Sequence, residues 1–175
     1  MEFEQLYLYD CPSAGVRFTD SDQITFDFGS GGGTTDGNMV ILKGVTDSNI
    51  TRTSIFGLLI EDSTNVVFEV GGDDEFGDPT GDIRPPVGGL QSANLVVTGS
   101  SSGIVLKGIE IFPGAEPRIV LESTSPLILD AVIFRDAEQG ECLVQVPQGS
   151  DESIIVQVNV NALLELSDGN CFVLA

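Results

Sequence analysis

The richest source of chemistry in the chain is the acidic stretch from Gly71 to Gln91, which carries Asp73, Asp74, Glu75, Asp78 and Asp82 together with the pair Pro85-Pro86. Clustered carboxylates bind hard cations, and Ca²⁺ takes about six to eight oxygens from carboxylates and backbone carbonyls. Asp73, Asp74, Asp78 and Asp82 are therefore the candidate calcium ligands, and calcium is the one cofactor the sequence admits. Their spacing is not that of an EF-hand loop, and a chain with 27 Asp and Glu gathers such clusters by composition alone.

Catalytic chemistry is harder to place. The chain has no histidine, which removes the usual general base, the usual zinc ligand and every Ser-His or Cys-His nucleophile arrangement. Glycoside hydrolysis needs two carboxylates roughly 5–9.5 Å apart, and with so many acids spacing alone selects no pair. A polysaccharide lyase would need a basic residue beside Ca²⁺-binding acids, for which Arg118 near Glu122 and Arg135 near Asp130 are the available pairs. The run Gly29-Ser30-Gly31-Gly32-Gly33 lacks the Lys and Ser/Thr of a phosphate-binding loop and opens no helix, so it reads as a flexible loop. The expectation is a protein that is not an enzyme and has no catalytic residues.

Charge narrows the partners. Twenty-seven acids stand against seven Lys and Arg, for a formal net charge of -20. Arg17, Lys43, Arg52, Arg84, Lys107, Arg118 and Arg135 are scattered singly, so nucleic acid is not an expected partner, because a phosphate-binding surface needs clustered cations. A self-repelling surface is destabilising in dilute salt and is relieved when molar salt shortens the screening length to about 3 Å, which points to a halophilic setting. No apolar run reaches the length of about 18 residues that a membrane helix needs, so no membrane span is expected. The first residues, with Glu2 and Glu4, do not read as a secretory signal. Cys11, Cys142 and Cys171 are too few, and odd in number, for a disulfide framework, and are read as packing residues.

The elements that position these residues are short runs of Val, Ile, Leu, Phe and Thr bounded by Gly, Ser, Asp, Asn and Pro, which predict strands throughout and no helix. Among them, Val16–Thr19, Met39–Val45, Ile50–Ile60, Ile104–Phe112, Leu127–Phe134 and Cys142–Val146 are each read as one strand. There is an internal repeat. Val40-Ile41-Leu42-Lys43-Gly44-Val45 returns as Ile104-Val105-Leu106-Lys107-Gly108-Ile109 and more loosely as Leu127-Ile128-Leu129-Asp130-Ala131-Val132. A second kind of run, Gly57 to Ser63, returns at Arg118–Ser123, at Cys142–Val146 and at Cys171–Leu174. Repeats of about 20 to 30 residues with two or three short strands suit a parallel β-solenoid, in which each coil buries its apolar positions only against the next.

Asp62-Ser63-Thr64-Asn65-Val66-Val67-Phe68 and Ser123-Thr124-Ser125-Pro126-Leu127-Ile128-Leu129 resemble the turn-plus-strand units of the right-handed parallel β-helix family, which includes pectate lyases and the tail spikes and fibres of viruses. The resemblance runs from Gly15 to Ala175 with an interruption. It implies a short β-helix; the alternative is an antiparallel β-sandwich or jelly roll, the common home of many short strands. Pairing separates the two: a solenoid is parallel throughout, whereas tight hairpins are antiparallel, and Asp36-Gly37 and Asp168-Gly169 come nearest to hairpin turns.

Residues 15–175 are thus expected to form a single all-β domain with a long acidic loop at 71–91, preceded by an arm or edge strand at 1–14. Phe3, Leu6, Tyr7, Leu8 and Tyr9 make that arm more apolar than a free terminus should be and suit it either to pairing with a neighbouring subunit or to capping the domain's own core. The function expected is that of a structural component of a larger assembly. A virion protein of a halophile's virus fits best, as a capsid decoration, spike or tail part located in the virion, with copies of itself and other capsid or tail proteins as partners. The alternative is a carbohydrate-binding module or polysaccharide-active enzyme with a surface glycan as ligand.

Overall fold

Short strands of two to six residues, many ended by one residue in the left-handed conformation, make the local rule from which the molecule is built. The structure, a computed structural model, describes residues 2–4, 16–27, 40–51, 54–69, 72–73, 79–86, 93–114, 116–160, 162–168 and 170–175. The chain begins with β1 (Glu2–Glu4), β2 (Val16–Thr19) and β3 (Thr25–Asp27), and the next coil holds β4 (Val40–Lys43), β5 (Thr46–Thr51) and β6 (Ser54–Phe56). The third coil runs through β7 (Leu58–Glu61) and β8 (Thr64–Glu69), leaves the stack as a small antiparallel pair, β9 (Gly72–Asp73) with β10 (Pro79–Thr80), and returns as β11 (Asp82–Arg84). Two regular coils follow, β12 (Leu95–Thr98), β13 (Ile104–Lys107), β14 (Glu110–Ile111) and then β15 (Ile119–Leu121), β16 (Leu127–Asp130), β17 (Ile133–Phe134). The last coil has β18 (Val144–Gln145), a 3-10 turn at Glu152–Ile154 and β19 (Ile155–Val158), before a closing hairpin of β20 (Leu164–Ser167) and β21 (Cys171–Leu174).

Stacking sorts these strands into three faces: β2-β4-β7-β12-β15-β18-β21-β20, β1-β3-β5-β8-β13-β16-β19, and β17-β14-β11-β6. The fold is all-β, with parallel coils in a β-solenoid. Register puts like on like: Val40, Leu58, Leu95, Ile119 and Val144 form one inward row, and Phe26, Ile50, Phe68, Leu106 and Leu129 another, all buried. Each such side chain withdrawn from water contributes about 1.5–3 kcal/mol, and no coil can bury its own row without the coils above and below.

Corners turn on backbone chemistry. Asp20, Gly44, Asp62 and Gly99 stack between the first two faces, all at positive φ (47°, 63°, 49° and 67°). A Cβ on Gly44 would stand 2.5 Å from Asp20 Oδ1, so the stack alternates an acid with a residue that has no side chain to collide with it. Just inside runs a buried serine ladder. Ser63 Oγ accepts from the Val45 amide (3.1 Å), Ser101 Oγ accepts from the Ser63 amide (3.2 Å), and Ser123 Oγ donates to Ser101 O (2.6 Å), so corner amides that no strand can satisfy find partners.

Several expectations change. Ile50–Ile60 is not one strand but passes through three faces, as β5, β6 and β7, and Gly57 at φ 73° makes the last bend. Ile104–Phe112 and Leu127–Phe134 likewise divide at Gly108 and Ala131, both at positive φ. Val40–Lys43 does not stack with Ile104–Lys107: β4 lies on the first face between β2 and β7, whereas β13 lies on the second. The pairing is not parallel throughout either, since β21 runs antiparallel to both β18 and β20. Two cysteines are not packing residues but a disulfide, Cys142–Cys171, with Cα atoms 5.7 Å apart; the antiparallel pairing of β21 with β18 brings their backbones within bridging range, which spacing in sequence does not reveal. Cys11 lies outside the described residues.

Candidate functional site

The third face gathers the polar chemistry. Of the four candidate calcium ligands, Asp73 lies in β9 and Asp82 in β11, while Asp74 and Asp78 lie outside the described residues. Asp82 is not on an open loop: it is buried in the sheet and its Oδ2 accepts from Arg84 Nε (3.1 Å) and Nη2 (2.8 Å). Among the described residues no three acids or cysteines converge as a metal site would require.

Asp82 stands beside Glu110 in the parallel register, on neighbouring strands whose backbones are spaced about 4.8 Å. Each has its own arginine, because Glu110 accepts a bidentate pair of bonds from Arg135 Nε and Nη2. Next to them the Arg84 guanidinium lies 4.7 Å from the Phe112 ring centroid and 5.8 Å from that of Phe56, a cation–π stack. Asn94 braces this face from behind, its Nδ2 donating to Ile83 O (3.1 Å) and Phe112 O (2.8 Å). Of the two arginine pairs read from the sequence, neither forms: Arg135 pairs with Glu110, not Asp130, and Arg118 pairs with Glu141, not Glu122.

Arg118 is the largest fully buried side chain described, 1 % exposed. Its Nε and Nη2 donate to Glu141 Oε1 (2.6 Å) and Oε2 (2.8 Å), Nη1 donates to the carbonyls of Ile111 (3.2 Å) and Arg135, and Nη2 reaches Asp136 O at 3.4 Å. Burial pushes the Glu141 carboxyl up, but the Arg118 hydrogen bond, the Glu138 amide and the guanidinium charge together outweigh it, leaving it below the usual carboxylate range. The arrangement fastens the loop between β17 and β18 to the stack and offers no free acid or base.

Outward ladders elsewhere are tied in the same way. Lys43 meets Glu61 (2.9 Å) and Lys107 meets Glu69 (3.0 Å), each across one coil. The Lys107 hydrogen bond, with help from Asn49, holds the Glu69 carboxyl low, and the hydrogen bond that Lys43 donates to Glu61 raises Lys43.

The last coil is different in kind. The exposed large apolar side chains among the described residues are Val156, Val158, Val160 and Leu163, at 39 %, 39 %, 40 % and 51 %. Of these Val160 lines a cavity of about 110 Å³, whose walls also include Leu129, Val132, Phe134, Gln157, Leu164 and Leu174. The cavity sits where the last coil turns into the closing hairpin, after β19, and among the described residues the third face ends at β17. A signal for this surface exists in the sequence: no charged residue lies between Glu152 and Glu165, and Val156, Val158 and Val160 alternate there with the uncharged Gln157 and Asn159. Of the proposed arm, Phe3 lies in β1, in register with Phe26, and Leu6, Tyr7, Leu8 and Tyr9 lie outside the described residues. Comparison of the chain with protein-family models, with curated proteins and with solved structures found no match in any of the three.

Proposed function

We propose that this protein is a non-enzymatic structural component of a larger assembly, a capsid decoration, spike or tail part in the virion of a virus with a halophilic host. The observation that carries the reading is the exposed apolar strip at Val156, Val158, Val160 and Leu163, set on a molecule of net charge -20. Exposed apolar residues grouped on one coil suit a surface that meets another protein. The acids on the third face support the same reading, since Asp82 and Glu110 are both engaged by arginines. So does the Cys142–Cys171 bridge, because disulfides persist in oxidising places such as virion surfaces. Its partners are copies of itself and other capsid or tail proteins. Deleting the Phe3–Tyr9 arm should abolish incorporation into particles, while neutralising any single acid leaves incorporation nearly intact. Turnover of a polysaccharide, lost on changing one Asp or Glu with the fold preserved, would overturn the reading.

A second reading, a carbohydrate-binding module, rests on the Phe56–Arg84–Phe112 stack, since aromatic and guanidinium planes suit the apolar face of a sugar ring. Binding without turnover on a glycan screen, lost in Arg84→Ala with Phe112→Ala, is its signature.

A further inference from the structure

We infer that the Cys142–Cys171 bridge is a redox latch on the closing hairpin: oxidised, it holds the hairpin over the end of the solenoid, and reduced, it lets β20 and β21 open as a unit while the coils beneath stay folded. The inference goes beyond the assembly reading and does not depend on it. The bridge joins a fixed side to a movable one. Cys142 follows Glu141, which the buried Arg118 grips through Nε and Nη2, and precedes Leu143 and Val144, both fully buried. Cys171 opens β21, in a hairpin whose buried side chains among the described residues are Leu164 and Phe172 alone. Among the described strands β20 pairs only with β21, so the hairpin joins the sheet through β21, whose register with β18 is two pairs, Val144 with Phe172 and Gln145 with Cys171. The other ties are few: the amides of Leu143 and Val146 donate to Phe172 O and Asn170 O (2.9 Å each), and the Gln157 side chain bonds Leu164. Packing under the hairpin is incomplete, because its Leu164 and Leu174 share the lining of the cavity with Leu129, Val132 and Phe134 of the coils. So lightly attached a cap leans on its covalent tie.

Both cysteines are only half-buried, which leaves the bridge open to a small dithiol. One dithiol sulfur attacks a bridge sulfur and expels the other cysteine as a thiolate, and the second dithiol sulfur then displaces the first cysteine. The bridge gains two electrons and, with two protons, becomes two thiols, while the dithiol leaves as a cyclic disulfide. The bridged cysteines are 29 residues apart, and loss of a loop of that size raises the open fraction by about a hundredfold. Opening frees the Leu143 and Val146 amides and uncovers the edge of β18, where Leu143, Val144 and Val146 are buried in the closed form. An unpaired edge is a template for another strand, so the latch decides whether this end of the first face is blunt. Thiols stay reduced in a cytosol and bridges persist outside it, so the compartment sets the state of the cap.

Amide hydrogen exchange of the full chain in molar KCl, read residue by residue by NMR with and without dithiothreitol, tests this. Reduction should speed exchange of the β20 and β21 amides, and of Leu143 and Val146, by about a hundredfold, and should leave β12, β13 and β16 unchanged. Re-oxidation should restore the slow rates. Cys142→Ser combined with Cys171→Ser should exchange like the reduced chain and no longer respond to dithiothreitol, whereas Cys11→Ser should respond as the unmodified protein does. Equal acceleration through all the coils would make the bridge a general staple and overturn the inference. So would a hairpin whose exchange ignores reduction, or a response to dithiothreitol that survives in the double serine variant.

Discussion

Taking a guanidinium out of water costs several kcal/mol, which only a nearly complete set of partners offsets. Arg118 has such a set, and the cost of disturbing it is correspondingly large. Arg118→Ala, which leaves Glu141 as a partly buried unpaired carboxylate, should destabilise the fold by about 3–5 kcal/mol. For a chain of this length that lowers the melting temperature by roughly 10 °C, readable in a thermal melt. The pH dependence follows from the downward shift of Glu141. Between its folded pKa and the ordinary carboxylate value the unfolded chain binds more protons than the native one, so stability rises with pH there. The contribution of Glu141 is thus fully present above the ordinary value and is lost as pH falls through the folded one, and Glu69 acts with the same sign. A series of melts at falling pH should show a shallower acid limb for Glu141→Gln than for the unmodified protein.

At the scale of elements, the closing hairpin carries the end of the solenoid. β21 pairs antiparallel with β18, the Gln157 side chain bonds both the amide and the carbonyl of Leu164 (2.8 Å each), and Leu164 and Phe172 are buried over the end of the core. The Cys142–Cys171 bridge ties the start of β21 to the loop before β18. Reduction should cost about 3 kcal/mol, as expected for a loop of this length, and should speed amide exchange in β20 and β21 far more than in β12 and β13. Strand chemistry and the stacking of Ile104 on Leu127 could be read from sequence because both are local or repeat at a steady step. The misplaced first copy of the repeat has a physical cause. Lys43-Gly44 and Lys107-Gly108 both end a strand at a left-handed glycine, and corners of different faces use the same residue there, so the sequence does not label the face. Asp168-Gly169, noted as a hairpin signal, does fall between β20 and β21. Arg118 and Glu141 are 23 residues apart, and nothing in either residue announces the other until the coils are stacked.

Over the whole molecule, the few inter-coil ion pairs are set against 20 uncompensated negative charges. Exposed pairs such as Lys43–Glu61 contribute little net and are themselves weakened by salt. Relief of the wider repulsion therefore dominates, and the melting temperature should rise from dilute to molar KCl. A temperature that stays flat across that range removes the halophilic reading. The coils differ in length in a telling way: stacked partners are 18 residues apart from Lys43 to Glu61, 24 from Thr98 to Glu122 and 38 from Glu69 to Lys107. Each step nevertheless advances the stack by one strand spacing of about 4.8 Å, because excess chain leaves at a corner and returns to the same level. From β2 to β18 the first face climbs five such steps, roughly 24 Å, whatever the number of residues spent on the way. The molecule is thus a ruler graduated in coils, and insertions or deletions at its corners can change what it displays without changing the distance it measures.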